Sequence, residues 1–477
     1  MIQYETVIGL EVHIELSTKT KIFCGCSTAF GGKANSHTCP VCTGMPGSLP
    51  VLNKKVLEYA MAVGLAMGCQ INKKSHFDRK NYFYPDNPQN YQISQLYAPI
   101  CHDGRIEIEA QGNKKEVRIH EIHMEEDAGK LIHDEKNNIS YVDFNRSGVP
   151  LIEIVSEPDM QNAEEVIAYL EKLRLIIRYL GVSDCKIQEG SMRADVNLSV
   201  RKKGCTENGT RTEMKNLGSF RAITRAIESE KKRQIELLEK GEKVIQETRR
   251  WDEDRQRSYT TRSKEDSKDY RYFPDPDLAP LYISDEWISQ IRKRQPEMSD
   301  EKKKRYKEQY ALPDYDAKII TSSKHMADIF EETLKFDVAP KKVSNWLMGE
   351  NLRLVKEKMM DIDEISFSPE NLVKLIKLVE NQTITMTVAK QVFEIVFSDD
   401  IDPQLYVKEH GLGTVNDDSQ LEAAIKNVLK ENEQSVTDYK AGKQKAAGYL
   451  IGQTMKAMGG KANPQLVREM IEKMLNE

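Results

Sequence analysis

Hydrophobic and polar positions alternate strictly from Val7 to Leu16, near the start of the chain. Every second residue in this segment is a large apolar one, whereas Glu11, His13 and Glu15 lie between them. Successive side chains of a strand point to opposite faces of its sheet. The segment therefore predicts a half-buried strand whose polar face carries carboxylates and an imidazole.

Helical periodicity appears in three later segments, and a second strand-like stretch precedes the last of them. We expect helices over residues 51–67, 162–180 and 219–240, and strands over 186–201. Asn162 followed by Glu165 is a capping-box pattern, and Gly181 is the residue type that ends helices. This part of the chain therefore predicts a mixture of helices and strands.

The pattern of apolar residues changes near residue 290, where alternation typical of strands ends and helical periodicity continues. The first 292 residues are expected to form one mixed domain. Residues 293–405 are expected to form an all-helical domain, and 406–477 a small helical tail domain, with Pro403 and a glycine turn at 411–413 near the boundary. The predicted fold class is therefore α+β.

Composition narrows the class of protein only slightly. The 477 residues are 39% hydrophobic and 30% charged, with 70 basic and 75 acidic residues and a net charge of −5. No apolar run reaches the roughly 18 residues that a membrane helix needs. The first residues contain no basic targeting segment, so we expect a cytoplasmic protein that does not bind membranes.

Four of the eight cysteines lie close together, at positions 24, 26, 39 and 42. Two closely spaced thiol pairs separated by a short loop are typical of a structural zinc site, in which four thiolates close the coordination shell. Four unrelated buried cysteines would explain the pattern less well. We therefore predict a zinc knuckle over residues 24–42.

Carboxylates and histidines form a second candidate site. Glu11 and His13 share the polar face of the first predicted strand, a dense patch of acids and histidines runs from His120 to Asp127, and Glu153 lies in an apolar strand. A lone buried carboxylate is costly unless it is paired or binds a metal ion. These elements suit an oxygen-rich Mg²⁺ site with one imidazole, although strand alternation leaves the choice between Glu125 and Glu126 open.

Basic and aromatic residues alternate in a third segment, residues 77–85. Arg79, Lys80 and Tyr82 suit phosphate neutralisation and base stacking, but a loop that docks its aromatic rings onto the core explains the pattern equally well. No Walker or Rossmann phosphate loop is present, so any ATP is held in another way. A similar stretch at 272–276 is interpreted as a chance repeat of a common turn.

A zinc deaminase is a minor alternative, since His13 and Glu15 precede the pair Cys39 and Cys42. Three points oppose it. Threonine replaces the expected proline before Cys39, His13 lies in an alternating strand, and the other two cysteines would close the zinc shell and leave no site for an activated water.

Seven motifs resemble those of one family, the B subunits of bacterial tRNA-dependent amidotransferases, over the whole length of the chain. The motifs are VIGLEVH at 7–13, FDRKNYFYPD at 77–86, HMEEDAGK at 123–130, PLIEIVSEPD at 150–159, DYRYFPDPD at 269–277, SNWLMG at 344–349 and ANPQLV at 462–467. The archaeal relative of this subunit carries an extra domain, for which this chain has no room.

The resemblance implies a glutamine-synthetase-like cradle domain that is a ligase in protein biosynthesis. It would use ATP and Mg²⁺ to phosphorylate Glu or Asp misloaded on tRNA, and ammonia would then displace the phosphate. It implies an amidase-fold glutaminase subunit that delivers the ammonia through a channel, a small third subunit that completes a heterotrimer, and helical domains that hold the tRNA. Zinc would be structural.

The resemblance also assigns roles to single residues. It implies that His13, Glu126 and Glu153 bind Mg²⁺, and it selects Glu126 where alternation could not. Glu11 and Glu125 become candidates for supporting the ligands or lining the ammonia path. Arg79 and Lys80, together with Tyr82, would hold phosphates or the 3′ end of tRNA. A non-catalytic tRNA adaptor with merely structural acids is the rival interpretation.

Overall fold

The computed structural model describes residues 3–263, 270–415, 418–441 and 443–476. The chain divides into two compact units, Met1–Met298 and Ser299–Glu477. The strands lie in the first unit, at β1 Tyr4–Glu15, β2 Gln70–Ile71, β3 Lys74–Ser75, β4 Asp78–Asn81, β5 Tyr91–Ser94, β6 Cys101–Ala110, β7 Asn113–Glu126, β8 Lys130–Asp134, β9 Ile139–Asp143, β10 Pro150–Ser156, β11 Met192–Lys202, β12 Thr212–Lys215, β13 Glu247–Asp252, β14 Arg257–Ser263, β15 Phe273–Pro274 and β16 Leu281–Tyr282.

Helices complete the first unit and build the second. Those of the first unit are α1 Lys54–Ala66, α2 Ala163–Leu180, α3 Phe220–Glu239 and α4 Asp285–Arg294. Those of the second are α5 Ser299–Tyr310, α6 Asp314–Ile320, α7 Lys324–Leu334, α8 Pro340–Trp346, a π-helical turn Leu347–Asn351, α9 Leu352–Glu357, a 3-10 turn Ile362–Glu364, α10 Pro369–Glu380, α11 Met386–Asp399, α12 Pro403–Glu409, α13 Asp418–Glu431, α14 Glu433–Lys440, α15 Lys445–Ala457 and α16 Pro464–Asn476.

A nine-stranded sheet of the described residues dominates the first unit, in the order β14-β13-β12-β11-β1-β10-β7-β6-β2. Among these described strands, only β12 and β13 pair in parallel. One face packs against α1, α2 and α3 to form the main core. The other face of the central strands is polar, so it is the surface on which charged side chains gather.

The alternation of the first predicted strand is confirmed in β1. Ile8, Leu10, Val12 and Ile14 are almost completely buried on the core side. Glu11, His13 and Glu15 point to the opposite face, because β1 keeps a regular extended backbone between β10 and β11. The strand therefore separates the core from the polar face residue by residue.

The predicted helix boundaries follow their caps. The Asn162 side chain accepts a hydrogen bond from the Glu165 backbone N–H at 2.9 Å, and α2 ends at Gly181 with a φ of 66°. The Glu165 carboxylate reaches the backbone N–H of Gln161 at 2.8 Å, one residue before its expected partner in a capping box. The helix predicted over 51–67 begins later, after Asn53, whose side chain caps the Lys55 N–H.

The second unit is helical and contains two hydrophobic cores. One is built from residues between Tyr306 and Val407, and the other from residues between Leu421 and Leu475. A large sheet followed by a helical C-terminal region confirms the predicted mixed architecture, whereas the three-domain boundaries stay a prediction. In the described part of the chain, no helix is long and apolar enough to cross a membrane.

Candidate functional site

Four charged or ionisable side chains form a row across the centre of the polar face. The strand registers oppose His123 to Glu153, Glu153 to His13, and His13 to Arg193, on β7, β10, β1 and β11 respectively. Directly opposed residues of antiparallel strands project from the same side of the sheet. The hydrogen-bonding register of the sheet therefore brings these residues together from four distant parts of the sequence.

Glu125 completes this cluster, because it lies two residues after His123 and therefore on the same face of β7. His13 Nε2 lies 3.5 Å from Glu125 Oε1 and 3.4 Å from Glu153 Oε2. His123 Nε2 lies 3.1 Å from Glu153 Oε2. Ligand atoms of His13, Glu125 and Glu153 all lie within 4.8 Å of one another, a spacing that fits one metal ion.

The charged side chains of this cluster shift one another's pKa values. Burial opposes protonation of His13, but the Glu153 carboxylate outweighs burial and raises the pKa of His13 to about 9. Burial opposes ionisation of Glu153, but His13 and His123 outweigh it and hold the Glu153 pKa well below its usual range. A divalent cation would bind the same imidazole lone pair that a proton occupies on His13, so the two would compete.

A second acidic group lies on the same face, where Glu11, Asp195 and Glu213 offer oxygens within 4.8 Å of one another. Lys215 Nζ neutralises part of it, at 2.5 Å from Asp195 Oδ2 and 3.0 Å from Glu213 Oε1. Burial and then the Glu153 charge raise the pKa of Glu11. Glu11 therefore links this second group electrostatically to the first.

The structure places Glu125 and Glu126 in different environments. Glu126 is the next residue of β7, so it faces away from His13 and Glu153. Its Oε1 accepts the Ile93 backbone N–H at 3.0 Å and the Gln89 side-chain amide at 3.1 Å. Glu125 therefore lies beside His13 and Glu153, Glu126 lies outside this group, and the predicted role of Glu126 in binding Mg²⁺ stays a prediction.

Arg79 and Lys80 also point in different directions. The Arg79 guanidinium binds Asp275 Oδ2 at 2.8 Å and Asp277 Oδ2 at 2.6 Å, so its charge is already paired within the 275–277 turn. Its predicted role in holding phosphates stays a prediction. Lys80 Nζ instead lies 5.0 Å from the centre of the Tyr270 ring, and although burial opposes it, nearby groups including Glu125 raise the Lys80 pKa.

The two similar aromatic segments lie side by side. β15 pairs with β4, which opposes Phe273 to Arg79, and the Tyr82 ring packs edge-on against Tyr270 at 6.4 Å. The two similar segments, whose resemblance is interpreted above as chance, therefore contribute neighbouring strands to one small sheet. Asp269, the first residue of the motif at 269–277, lies outside the described residues.

The four cysteines of the predicted knuckle come together. Sulfur atoms of Cys24, Cys26, Cys39 and Cys42 all lie within 4.8 Å of one another. The Cys42 sulfur accepts the Cys39 backbone N–H at 3.2 Å, a contact that stabilises a thiolate. Four convergent thiols and such a donor fit tetrahedral zinc, and they form a group separate from His13, which removes the basis of the deaminase alternative.

Four residues of the polar face were not predicted from the sequence as members of the candidate site. His123 was noted only as part of a patch, although its separation from Glu125 by two positions is the strand signal that puts both on one face. Asp195 and Glu213 lie in β11 and β12, which reach the site through sheet pairing alone. Arg193 likewise enters only through its register with His13.

Comparisons with known proteins give a consistent result. The profile of the GatB/GatE catalytic domain matches residues 6–289, and that of the GatB domain matches residues 328–475. The B subunit of the aspartyl/glutamyl-tRNA(Asn/Gln) amidotransferase of Agathobacter rectalis is 66% identical over 475 residues, covering 100% of both chains. Proteins of the same name from Lachnospira eligens and Caldicellulosiruptor saccharolyticus are 64% and 56% identical, again over 100% of each chain.

Proposed function

Because the chain belongs to the family of aspartyl/glutamyl-tRNA(Asn/Gln) amidotransferase B subunits, we propose that it transamidates Glu-tRNA(Gln), Asp-tRNA(Asn) or both in an ATP-dependent reaction. This membership confirms the predicted resemblance and the class of enzyme, a ligase-type tRNA amidotransferase subunit. The observation that carries the proposal is the convergence of His13, Glu125 and Glu153 on the polar face of the sheet.

The proposed reaction converts a poor electrophile into a good one in two steps. First, an oxygen of the aminoacyl side-chain carboxylate attacks the γ-phosphorus of ATP, ADP leaves, and an acyl phosphate forms. Second, ammonia attacks the acyl carbon, phosphate leaves with the bonding electrons, and the nitrogen loses a proton to give the amide. Positioning and charge neutralisation supply most of the catalysis in phosphoryl transfer.

His13, Glu125 and Glu153 are the residues that would hold Mg²⁺. Two anionic oxygens and one imidazole nitrogen fit a hard cation, and the spacing of their ligand atoms fits one ion. Bound Mg²⁺ would neutralise charge on the transferring phosphoryl group. The Nε2 atom of His13 lies 3.4 Å from Glu153 Oε2, so a bound ion would replace this direct contact between the two side chains.

Other residues of the polar face would interact with the phosphoryl oxygens and with the proton of the attacking nitrogen. Lys80 is the cation that we assign to phosphoryl oxygens, since the charge of Glu125 acts on it, whereas Arg193 is paired with Asp127 at 3.0 Å. Glu11, whose pKa is raised by burial and by Glu153, would line the ammonia path and accept a proton from the attacking nitrogen. Tyr82 would offer a stacking surface to the 3′ end of tRNA.

The wider assembly is proposed on the basis of family membership. The sheet unit would be a glutamine-synthetase-like cradle. An amidase-fold glutaminase subunit would deliver ammonia through a channel, and a small third subunit would complete a heterotrimer. The four-cysteine knuckle would hold a structural Zn²⁺ with no open coordination position, so it would contribute to folding and not to the reaction.

The helical second unit would bind tRNA. Lys440, Lys445 and Lys456 are exposed, and no carboxylate of the described residues lies within ion-pair distance of them. Lys341 and Lys342 of α8 are instead paired with Asp316 and Glu380. The tail therefore offers more uncompensated positive charge to phosphates than the segment around α8 does.

The proposal is tested with the assembled complex and the isolated chain. Each misacylated tRNA is incubated with ATP and either glutamine or ammonium, and the amino acid released from the tRNA is identified. We expect amidation by the isolated chain with ammonium but not with glutamine, because the amide donor needs the partner subunit. ATP turnover unchanged in Glu125→Gln would favour the adaptor interpretation, whereas glutamine hydrolysis by the pure chain would contradict the need for a glutaminase partner.

A further inference from the structure

A completely buried lysine lies at the base of the cysteine knuckle. Lys21 has 0% of its surface exposed, and its Nζ donates to Cys42 Sγ at 3.4 Å and to the Phe144 carbonyl oxygen at 3.2 Å. No carboxylate of the described residues lies within 4.0 Å of this ammonium. Glu126 lines the same small cavity, but its Oε1 is used by Ile93 and Gln89.

Burying an ammonium group without a counter-charge is strongly unfavourable. The Phe144 carbonyl is a neutral dipole, so of the two groups to which Lys21 Nζ donates, the sulfur of Cys42 is the one that can carry a compensating charge. Four thiolates around one divalent ion leave two negative charges in excess. A buried cation beside one of the four sulfurs therefore matches the charge that a tetrathiolate zinc site would have.

We propose that Lys21 is the counter-cation of a tetrathiolate zinc site, which it holds by an ammonium–thiolate hydrogen bond to Cys42. The inference rests on the structural zinc proposed above and not on the tRNA reaction. The Cys42 sulfur receives a second donor, the Cys39 backbone N–H, so two hydrogen bonds converge on one ligand atom. Such partners orient metal ligands and typically change metal affinity by about 10- to 100-fold.

The backbone around Lys21 keeps this arrangement rigid. The Lys21 N–H donates to the Cys26 carbonyl at 3.0 Å, and the Ile22 N–H donates to the Gly148 carbonyl at 3.0 Å. The Ser147 hydroxyl donates to the Cys42 carbonyl at 3.0 Å. The lysine backbone and the zinc ligands are therefore fixed to the same loop, which leaves the ammonium little freedom to turn away.

The test replaces Lys21 in the full-length chain and measures zinc directly. Lys21→Met keeps the length and removes the charge, Lys21→Gln keeps a neutral donor, and Lys21→Arg keeps the cation. Release of zinc to a chelator is followed with a colorimetric metal indicator. We expect about 10- to 100-fold faster release from Lys21→Met, an intermediate rate from Lys21→Gln, and the smallest change from Lys21→Arg.

Two exposed lysines serve as matched controls. Lys19→Met lies two residues before Lys21, and Lys33→Met lies in the knuckle itself, and both should release zinc at the wild-type rate. Folding is checked by circular dichroism. If Lys21→Met does not fold, the comparison between Lys21→Gln and Lys21→Arg decides, because those two differ in charge.

Cobalt substitution gives a readout that loss of packing alone would not produce. An ammonium hydrogen bond stabilises the sulfur lone pairs, so its removal should shift the sulfur-to-Co²⁺ charge-transfer band to longer wavelength in Lys21→Met. Wild-type protein purified without zinc would overturn the zinc proposal itself. If the wild type contains zinc and the Lys21 variants have the same release rate and the same cobalt spectrum, the role of Lys21 alone would be overturned.

Discussion

Adjacent glutamates on β7 have opposite environments although they are chemically identical. Glu125 faces His13 and Glu153 on the polar side of the sheet. Glu126 is 7% exposed, and burial, although opposed by its hydrogen bonds from Ile93 and Gln89, raises its pKa to about 8. One carboxylate is therefore placed to bind a cation, and the other is a mainly protonated acid at neutral pH.

We expect Glu125→Gln and Glu126→Gln to separate these roles. Losing a charged group beside a transferring phosphoryl costs about 100-fold or more in rate, so Glu125→Gln should almost abolish ATP-dependent acyl-phosphate formation. Glu126→Gln exchanges a neutral acid for a neutral amide that still accepts from Ile93, so it should stay within about twofold of wild type. ADP release in the assembled complex, with tRNA binding and glutaminase activity as controls, measures both.

The pH dependence of stability provides an independent check of Glu126. A carboxyl whose folded pKa is raised stabilises the protein fully below its unfolded value and loses that contribution as pH rises through the folded value. Wild type should therefore lose stability relative to Glu126→Gln between about pH 5 and about pH 8. Urea titrations across this range that give parallel curves would mean that Glu126 is ionised in the folded protein.

Residue identities alone allowed part of this site to be predicted. His13 and Glu153 could be selected because each breaks an apolar pattern in a way that alternation exposes. Glu125 could not be separated from Glu126, since the choice depends on which residue of β7 opposes Leu151 of β10. The roles of Arg79 and Arg193 were also beyond prediction, because their carboxylate partners, Asp275 and Asp127, lie far away in sequence.

Among the structural elements, the cysteine knuckle at residues 24–42 should contain one zinc ion per chain. Elemental analysis of the purified protein should give about one equivalent, and Cys39→Ser should lower it, because a three-thiolate shell holds the metal less tightly. The matched control is Cys205→Ser, which removes an exposed cysteine outside the knuckle. Equal zinc content in the two variants would exclude Cys39 as a ligand. The Cys39→Ser substitution should lower the thermal stability of the protein more readily than it lowers ATP turnover.

One acidic side chain of α7, Glu331, accepts hydrogen bonds from several residues of α5. Glu331 Oε1 accepts from Lys302 at 2.6 Å and from the Tyr306 hydroxyl at 2.8 Å, and it also contacts Arg305. Burial opposes ionisation, but these hydrogen bonds outweigh it and lower the pKa of Glu331. A depressed carboxyl pKa gives stability above the unfolded value of about 4.3, which is lost as pH falls through the folded value.

Glu331→Gln should therefore destabilise the protein by about 1–3 kcal/mol at pH 7. The difference from wild type should shrink as the pH falls below about 4, where the wild-type carboxyl also becomes neutral. Chemical denaturation at both pH values measures it. Glu308→Gln is the control on α5, since Glu308 is exposed and forms only a 4.0 Å pair with Lys304. A pH-independent difference would show that shape matters here and charge does not.

Elements with strong local signals were predictable, and those defined by partners were not. The limits of α2 and α3 agree with their sequence signals to within about one residue, because Asn162 and Ser219 cap them and the glycines beyond end them. The strands expected from residue 186 begin only at Met192, since hydrogen bonds between 184 and 191 form a turn first. Short strands such as β2 and β15 exist only because a partner strand is beside them.

At the scale of the whole molecule, the proposed separation of catalysis from tRNA binding assigns tRNA binding to the second unit. In the described part of this unit, the core from Leu421 to Leu475 shares no buried residue with the core from Tyr306 to Val407. The polar contacts that join the two parts include the hydrogen bond from the Thr385 hydroxyl to the Gly460 carbonyl at 2.5 Å. A cut placed after α12 would therefore spare the first core, which still includes Val407 of that helix.

Removal of residues 416–477 should raise the KM for tRNA by about tenfold or more while ammonia-dependent amidation stays measurable. The sharper variant changes Lys440, Lys445 and Lys456 to glutamine, because each phosphate contact contributes about 0.7–0.9 to the slope of log affinity against log salt. This triple variant should reduce the slope by up to about 2–3, and its affinity for tRNA should fall most at low salt. Lys341→Gln with Lys342→Gln is the control, since those lysines are already paired with carboxylates and should leave the slope unchanged. A triple variant with the wild-type salt slope would show that the tail lysines do not contact phosphates.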